Sequence, residues 1–171
     1  MKIKGIISDY FSIGAIASKV KSNNVLVVDF GAQLTSFCLF NRGKLKFAKT
    51  IHIGSELITN DLSICLKCSF SEAERIKIIY GQLKNVETQY NTTVLIQCHD
   101  GEKSVSITMI SSIIESRMNQ LFQIISKYLN QAPSFDELIL LGCGSNLRGY
   151  ATWMEKKFGV KMNRHLNEFY K

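Results

Sequence analysis

Val25-Leu26-Val27-Val28-Asp29-Phe30-Gly31 is the stretch on which the fold turns. Four consecutive apolar residues without alternation are what a strand buried on both faces requires. An acid and a glycine then break the run. Downstream, Leu34 to Phe40 reads as a second strand, Asn41-Arg42-Gly43 as a tight turn, and Lys44 to Ile53 as a third strand. In that third strand Leu45, Phe47, Ile51 and Ile53 alternate with Lys44, Lys46 and His52, the two-residue period of a sheet. The three segments predict an antiparallel meander. Upstream, Ile13, Ile16, Ala17 and Val20 mark a short amphipathic helix over 9–20 that ends near Ser22-Asn23-Asn24.

Further along, helical spacing returns. Gly54-Ser55 opens a helix carrying Leu57, Ile58, Leu62, Cys65 and Leu66. A second is expected from Ser71 to about Leu83, with Glu72 and Glu74 in the first turn, where the helix dipole favours acids. Thr92 to Cys98 and Ser104 to Met109 predict a hairpin around His99-Asp100-Gly101-Glu102. The longest helix is placed from about Ser111 to Gln131, with Ile114, Met118, Leu121, Ile125 and Tyr128 as its apolar stripe. Leu138-Ile139-Leu140-Leu141 is another continuous apolar strand, stopped by Gly142-Cys143-Gly144-Ser145-Asn146. A helix through Tyr150, Trp153, Met154 and Phe158 ends at Gly159, and Val160-Lys161-Met162 reads as a last short strand.

The 171 residues fit one domain with a modest insertion. With 46% hydrophobic and 20% charged residues, composition excludes disordered, collagenous and coiled-coil classes. The net charge of +7 points to acidic partners, but the charges are scattered, so nucleic-acid binding is not expected. Five cysteines in a chain this large suggest a reducing, cytosolic compartment, and Cys65-Leu66-Lys67-Cys68 has no second pair with which to hold zinc. No apolar run is long enough to span a membrane, and Asp9 interrupts the only stretch resembling a signal peptide.

Ligands of open α/β sheets sit where loops leave the ends of buried strands. Two such loops occur. In the first, Asp29 offers a carboxylate for a cation-bound water, Gly31 a tight turn with amides facing an anion, and Thr35 a hydroxyl. In the second, Gly142 and Gly144 allow the main chain close to a flat ligand, with Ser145 beside them. A glycine-broken turn is the plain alternative for each loop by itself.

A meander, a helix, an insertion, a long helix and then strand, helix and strand form the ribonuclease-H-like order found twice in actin-like ATPases, which implies a mixed sheet with helices on both faces. Val27 to Gly31 resembles the second phosphate loop of that superfamily, and Leu140 to Ser145 its adenosine loop. Within it, His52 to Leu62, with its Thr59-Asn60-Asp61, then Phe70 to Lys77 and Tyr80-Gly81, resemble the bacterial cell-division protein family FtsA, as does Ile113-Ile114-Glu115-Ser116-Arg117. The resemblance covers nearly the whole chain from about residue 10. It implies an α/β lobe with its core at 25–66 and 109–171, an N-terminal helix or linker at 1–24, and a small inserted α+β subdomain at 67–108.

The same resemblance implies ATP and Mg²⁺ as ligands. Asp29, Gly31 and Thr35 would face the phosphates and the magnesium water, Glu74 and Lys77 the ribose, and Gly142, Gly144 and Ser145 the adenine. Departures bear on this expectation. Where the family usually continues Gly-Gly-Thr-Thr-Asp, this chain has Ala32, Gln33, Leu34, Thr35 and Ser36, and Cys143 replaces the middle glycine of the adenosine loop. Each such change costs on the order of 1–3 kcal/mol where strained backbone is needed, so weak or absent nucleotide affinity is expected. The chain corresponds to the second lobe only, without the opposing phosphate loop, the extra subdomain or the family's C-terminal amphipathic helix, so hydrolysis by this chain alone is not expected. The partner implied is the acidic and apolar C-terminal peptide of FtsZ, attracted to Lys67, Arg75, Lys77 and Lys84. Self-association into filaments, other divisome proteins and a cytoplasmic place at the inner face of the membrane are implied likewise. Two alternatives are an ATPase half completed by a first lobe from another chain, and the related pilus-assembly protein.

Overall fold

The computed structural model describes residues 23–83, 92–130, 132 and 134–162. The amphipathic helix expected at 9–20 and the candidate partner residue Lys84 lie outside these residues.

Three strands, β1 (Asn24–Phe30), β2 (Thr35–Asn41) and β3 (Lys44–Ile51), form the expected antiparallel meander. The β2–β3 link is a two-residue turn with Arg42 at φ 48° and Gly43 at φ 73°, a geometry whose twist matches that of the strands. After the helices, β6 (Glu137–Leu141) adds parallel to β1, giving a mixed sheet of order β3-β2-β1-β6. The period-2 rule explains the unbroken apolar runs. Leu26, Val28, Phe30, Phe37, Leu39, Leu138 and Leu140 face one buried cluster, while Val25, Val27, Cys38, Phe40, Ile139 and Leu141 form another.

Helices α1 (Ser55–Leu66), α2 (Phe70–Tyr80), α3 (Ile107–Leu129) and α4 (Tyr150–Phe158) contribute Ile58, Leu62, Ile76, Ile114, Met118, Leu121, Trp153 and Met154 to the first cluster. Each fully buried side chain of this kind stabilises by about 1.5–3 kcal/mol. Strands β4 (Thr93–Cys98) and β5 (Gly101–Ser106) form a separate two-stranded sheet, anchored by buried Ile96.

Boundaries differ from the sequence reading for local reasons. The Ser69 hydroxyl accepts the Glu72 amide, so α2 starts at Phe70, and Gly81 turns the chain away before the expected Leu83. The Ser106 hydroxyl likewise accepts the Met109 amide at 3.2 Å. That cap starts the long helix a turn early, giving it Ile107 to Met109, which the sequence assigned to the hairpin. The hairpin loop shrinks to His99-Asp100, because Cys98 pairs with Gly101. Strand β3 ends at Ile51, and the last short strand is only a single bridge between Leu138 and Met162.

Candidate nucleotide site

Register alone brings the two strand-end loops together, because Asp29 of β1 lies beside Leu141 of β6. The approach is close. A methyl group added at Gly142 would lie 2.4 Å from the Phe30 carbonyl oxygen and 2.5 Å from Asp29 Oδ1, and Gly142 holds φ 83°. One at Gly144 would lie 2.4 Å from the Phe30 ring. Both glycines are therefore required by the packing of the two loops. The Asp29 charge is felt inside the fold. Burial, and then that charge, push the Cys38 thiol up to about 12, and the Tyr150 phenol is raised by the same two causes.

Much of this rim is spent on itself. The Gly31 amide donates to the Leu34 carbonyl at 2.9 Å, and the Gly31 and Ala32 carbonyls accept the first amides of α1, from Ser55 and Glu56. The Thr35 hydroxyl donates to the Ile53 carbonyl with the side chain fully buried, so Thr35 does not face the cleft as expected. The Ser145 hydroxyl donates 2.6 Å to the Gly142 carbonyl and closes the second loop as a short 3₁₀ turn, Cys143–Asn146. Three groups expected to meet a ligand, the Gly31 amide and the Thr35 and Ser145 hydroxyls, are thus committed within the protein.

The opposite wall is different. A cavity of about 360 Å³ lies between the Gly142 loop and α1–α2, lined among others by Phe30, Ser55, Glu74, Lys77, Cys143 and Arg148. Lys77 Nζ donates to the Thr59 hydroxyl at 2.8 Å and the Ser55 carbonyl at 3.2 Å, and it pairs with Glu74 Oε2 at 2.8 Å. The Thr59 hydroxyl in turn donates to Glu74 Oε2. Burial alone would raise the Glu74 carboxyl, but the hydrogen bonds from Lys77 and Thr59 outweigh it and hold the carboxyl below its ordinary range. A cation and an anion fixed side by side at a cavity wall are suited to a vicinal diol. The residues present fit the sugar end of a nucleotide better than its phosphate end. Among the described residues, no group of three or more His, Cys, Asp or Glu side chains could hold a metal ion.

Of the cations expected to meet a partner, three lie within the described residues. Arg75 is bound in both directions by Glu72, at 2.6 and 2.7 Å, and Lys77 belongs to the cavity wall. Lys67 is exposed at the end of α1 in a left-handed conformation. The stretches Thr59-Asn60-Asp61 and Ile113 to Arg117, quoted above for their family resemblance, meet at a groove of about 530 Å³ between α1 and α3 lined by Asp61, Cys65, Met109, Ile113, Ser116 and Arg117. There Arg117 forms a two-pronged pair with Asp61, both bonds 2.7 Å, which raises the guanidinium further, and it also bonds Gln120. Arg148, which lines the cavity, was missed by sequence reasoning, as was Thr59, buried behind the wall as the partner of Lys77 and Glu74. Ser55 and Thr59, one turn apart on α1 and both buried polar residues, were the available signal, whereas Arg148 had none.

With this geometry in place, comparison with known proteins is decisive. The family model described as "Cell division protein FtsA" matches residues 26–168. This chain belongs to the FtsA family of cell-division proteins. FtsA of Enterococcus hirae is 27% identical over 151 residues, which is 85% of this chain and 34% of that protein. FtsA of Bacillus subtilis (strain 168) is 29% identical over 117 residues, 67% of this chain and 27% of that protein. The chain therefore spans about a third of the length of the FtsA proteins it matches. Among solved structures, MreB 5 of Spiroplasma citri bound to AMPPNP superposes with a TM-score of 0.76 at 14% identity, over 92% of this chain and 54% of that one. The PilM–PilN type IV pilus biogenesis complex gives 0.69 at 20% identity, over 93% and 41%. The fold of this FtsA-family chain is actin-like, with a mixed sheet and flanking helices.

Proposed function

We propose that this chain is a docking lobe of the division machinery that takes the C-terminal peptide of FtsZ in the groove between α1 and α3. The observation carrying this reading is the groove itself, placed where family-specific residues of both helices meet. Met109 and Ile113 supply apolar wall, and Arg117 is held rigid by Asp61 and Gln120. A guanidinium has five N–H donors and three are engaged among the described residues, which leaves two there for a peptide carboxylate. The lobe stacks with further subunits into an actin-like filament. A double helical filament is known for the structural neighbour MamK, with a TM-score of 0.68. Other divisome proteins join it at the inner face of the membrane. Nucleotide is held weakly or not at all, because the strand-end loops bond to themselves.

A fluorescein-labelled FtsZ C-terminal peptide tests the reading. Saturable anisotropy that Arg117→Ala weakens about tenfold or more supports it, and no saturable change at low salt overturns it. The second reading, an ATPase half completed by another chain, is favoured by the intact Glu74–Lys77–Thr59 network. Calorimetry with Mg-ATP decides between them: micromolar binding by this chain alone would displace the docking-only reading.

A further inference from the structure

We propose that the open margin of β3 receives an extended acidic segment of a partner protein, which adds as a further strand of the main sheet. Between Asp29 and Glu56 the chain has no acidic residue, yet the β2–β3 hairpin carries Arg42, Lys44, Lys46 and Lys49. Those four cations supply more than half of the net charge of +7. The sheet order places β3 at a margin, where one side of its main chain has no neighbouring strand among the described residues. Arg42, Lys44 and Lys46 are exposed, and none is ion-paired among the described residues. Lys49 is the exception, with its Nζ 5.0 Å over the Tyr128 ring. Leu45, 39% exposed, gives the same hairpin an apolar contact.

Lysines on a sheet edge ordinarily discourage pairing with other copies. The same array has a selective consequence, since it repels strands of like charge while attracting an acidic one. Main-chain hydrogen bonds would then supply affinity and the lysines specificity. A lipid surface would leave the edge N–H and C=O groups without strand partners, so it is the less favoured occupant. This margin is remote from the α1–α3 groove. The groove uses the first half of α3, whereas Tyr128, in its last turn, is the residue beside β3, and the helix is about 34 Å long.

The probe is a fluorescein-labelled eight-residue peptide of alternating Glu and Val, titrated by anisotropy at low salt. The expected result is saturable binding, about tenfold weaker for Lys44→Glu/Lys46→Glu and for Lys44→Gln/Lys46→Gln, both checked as folded by circular dichroism. Amide exchange should slow within Lys44–Ile51 on binding, and a Lys-Val peptide should bind only the Glu variant. Arg117→Ala should leave this binding unchanged, which separates the outcome from that of the FtsZ-peptide reading. Absence of binding, binding indifferent to both double variants, protection located elsewhere, or preference for phosphatidylglycerol vesicles over the peptide would each overturn the proposal.

Discussion

The two sides of the candidate site, the strand-end loops and the α1–α2 wall of the cavity, are built on opposite principles. Along the strand ends, backbone and hydroxyl groups pair with one another, as Gly31 does with Leu34, Thr35 with Ile53 and Ser145 with Gly142. Along α1 and α2, side chains from separate helices converge, and the Lys77–Thr59–Glu74 network borders open space. The first side is a closed structural joint and the second a surface still able to exchange partners. Buried polar groups must be paired, and the two sides differ in whether that pairing is local to a turn or reaches across helices.

This contrast can be broken most forcefully at Gly142. Gly142→Ala would place a methyl group against Asp29 and Phe30 at a left-handed φ. A loss of about 3 kcal/mol is expected, read as a fall of several degrees in thermal midpoint. A smaller loss would show that the joint is looser than its distances imply. Next comes Asp61→Ala, which frees a half-buried guanidinium; about 1–2 kcal/mol of stability should go, measured by urea unfolding. Lys77→Met, in the open wall, should cost about 1 kcal/mol or less, because Glu74 is 38% exposed and its pairing is screened.

The pH dependence sharpens the same comparison. Because the Glu74 carboxyl is held below its ordinary value of 4.5 when folded, its contribution is present above that value. It is lost as pH falls through the lowered folded pKa, so unfolding midpoints should drop with acid and drop less in Glu74→Gln. The smallest effect is chemical. Exposed Cys65 and Cys143 should react with maleimide at neutral pH, while Cys38, buried and pushed up to about 12, stays unlabelled by mass spectrometry until the protein unfolds.

Strands and helices were legible wherever local pattern was strong, as in Val25 to Val28 and in the stripe of α3. Their ends were not, because the caps at Ser69 and Ser106 and the turn at Gly81 compete with periodicity over single residues. In the candidate site, Glu74, Lys77, Gly142 and Gly144 were found by their resemblance to a known pattern and do line the cavity or shape its loop. Thr35 was misread because a hydroxyl in a loop looks the same whether it faces solvent or a carbonyl. Arg75 was named as part of a basic surface, and its pairing with Glu72 was not legible, because a glutamate three residues earlier is only a suggestion of pairing until the helix forms.

Composition and hydrophobic period by themselves determined a layered α/β lobe with strands buried on both faces, since period depends only on neighbours along the chain. The tertiary structure alone decided which polar groups remained available, and it brought Asp61 to Arg117 across 56 residues. Hydrogen bonds form between atoms that meet in space, and nothing in a local sequence window encodes such a meeting.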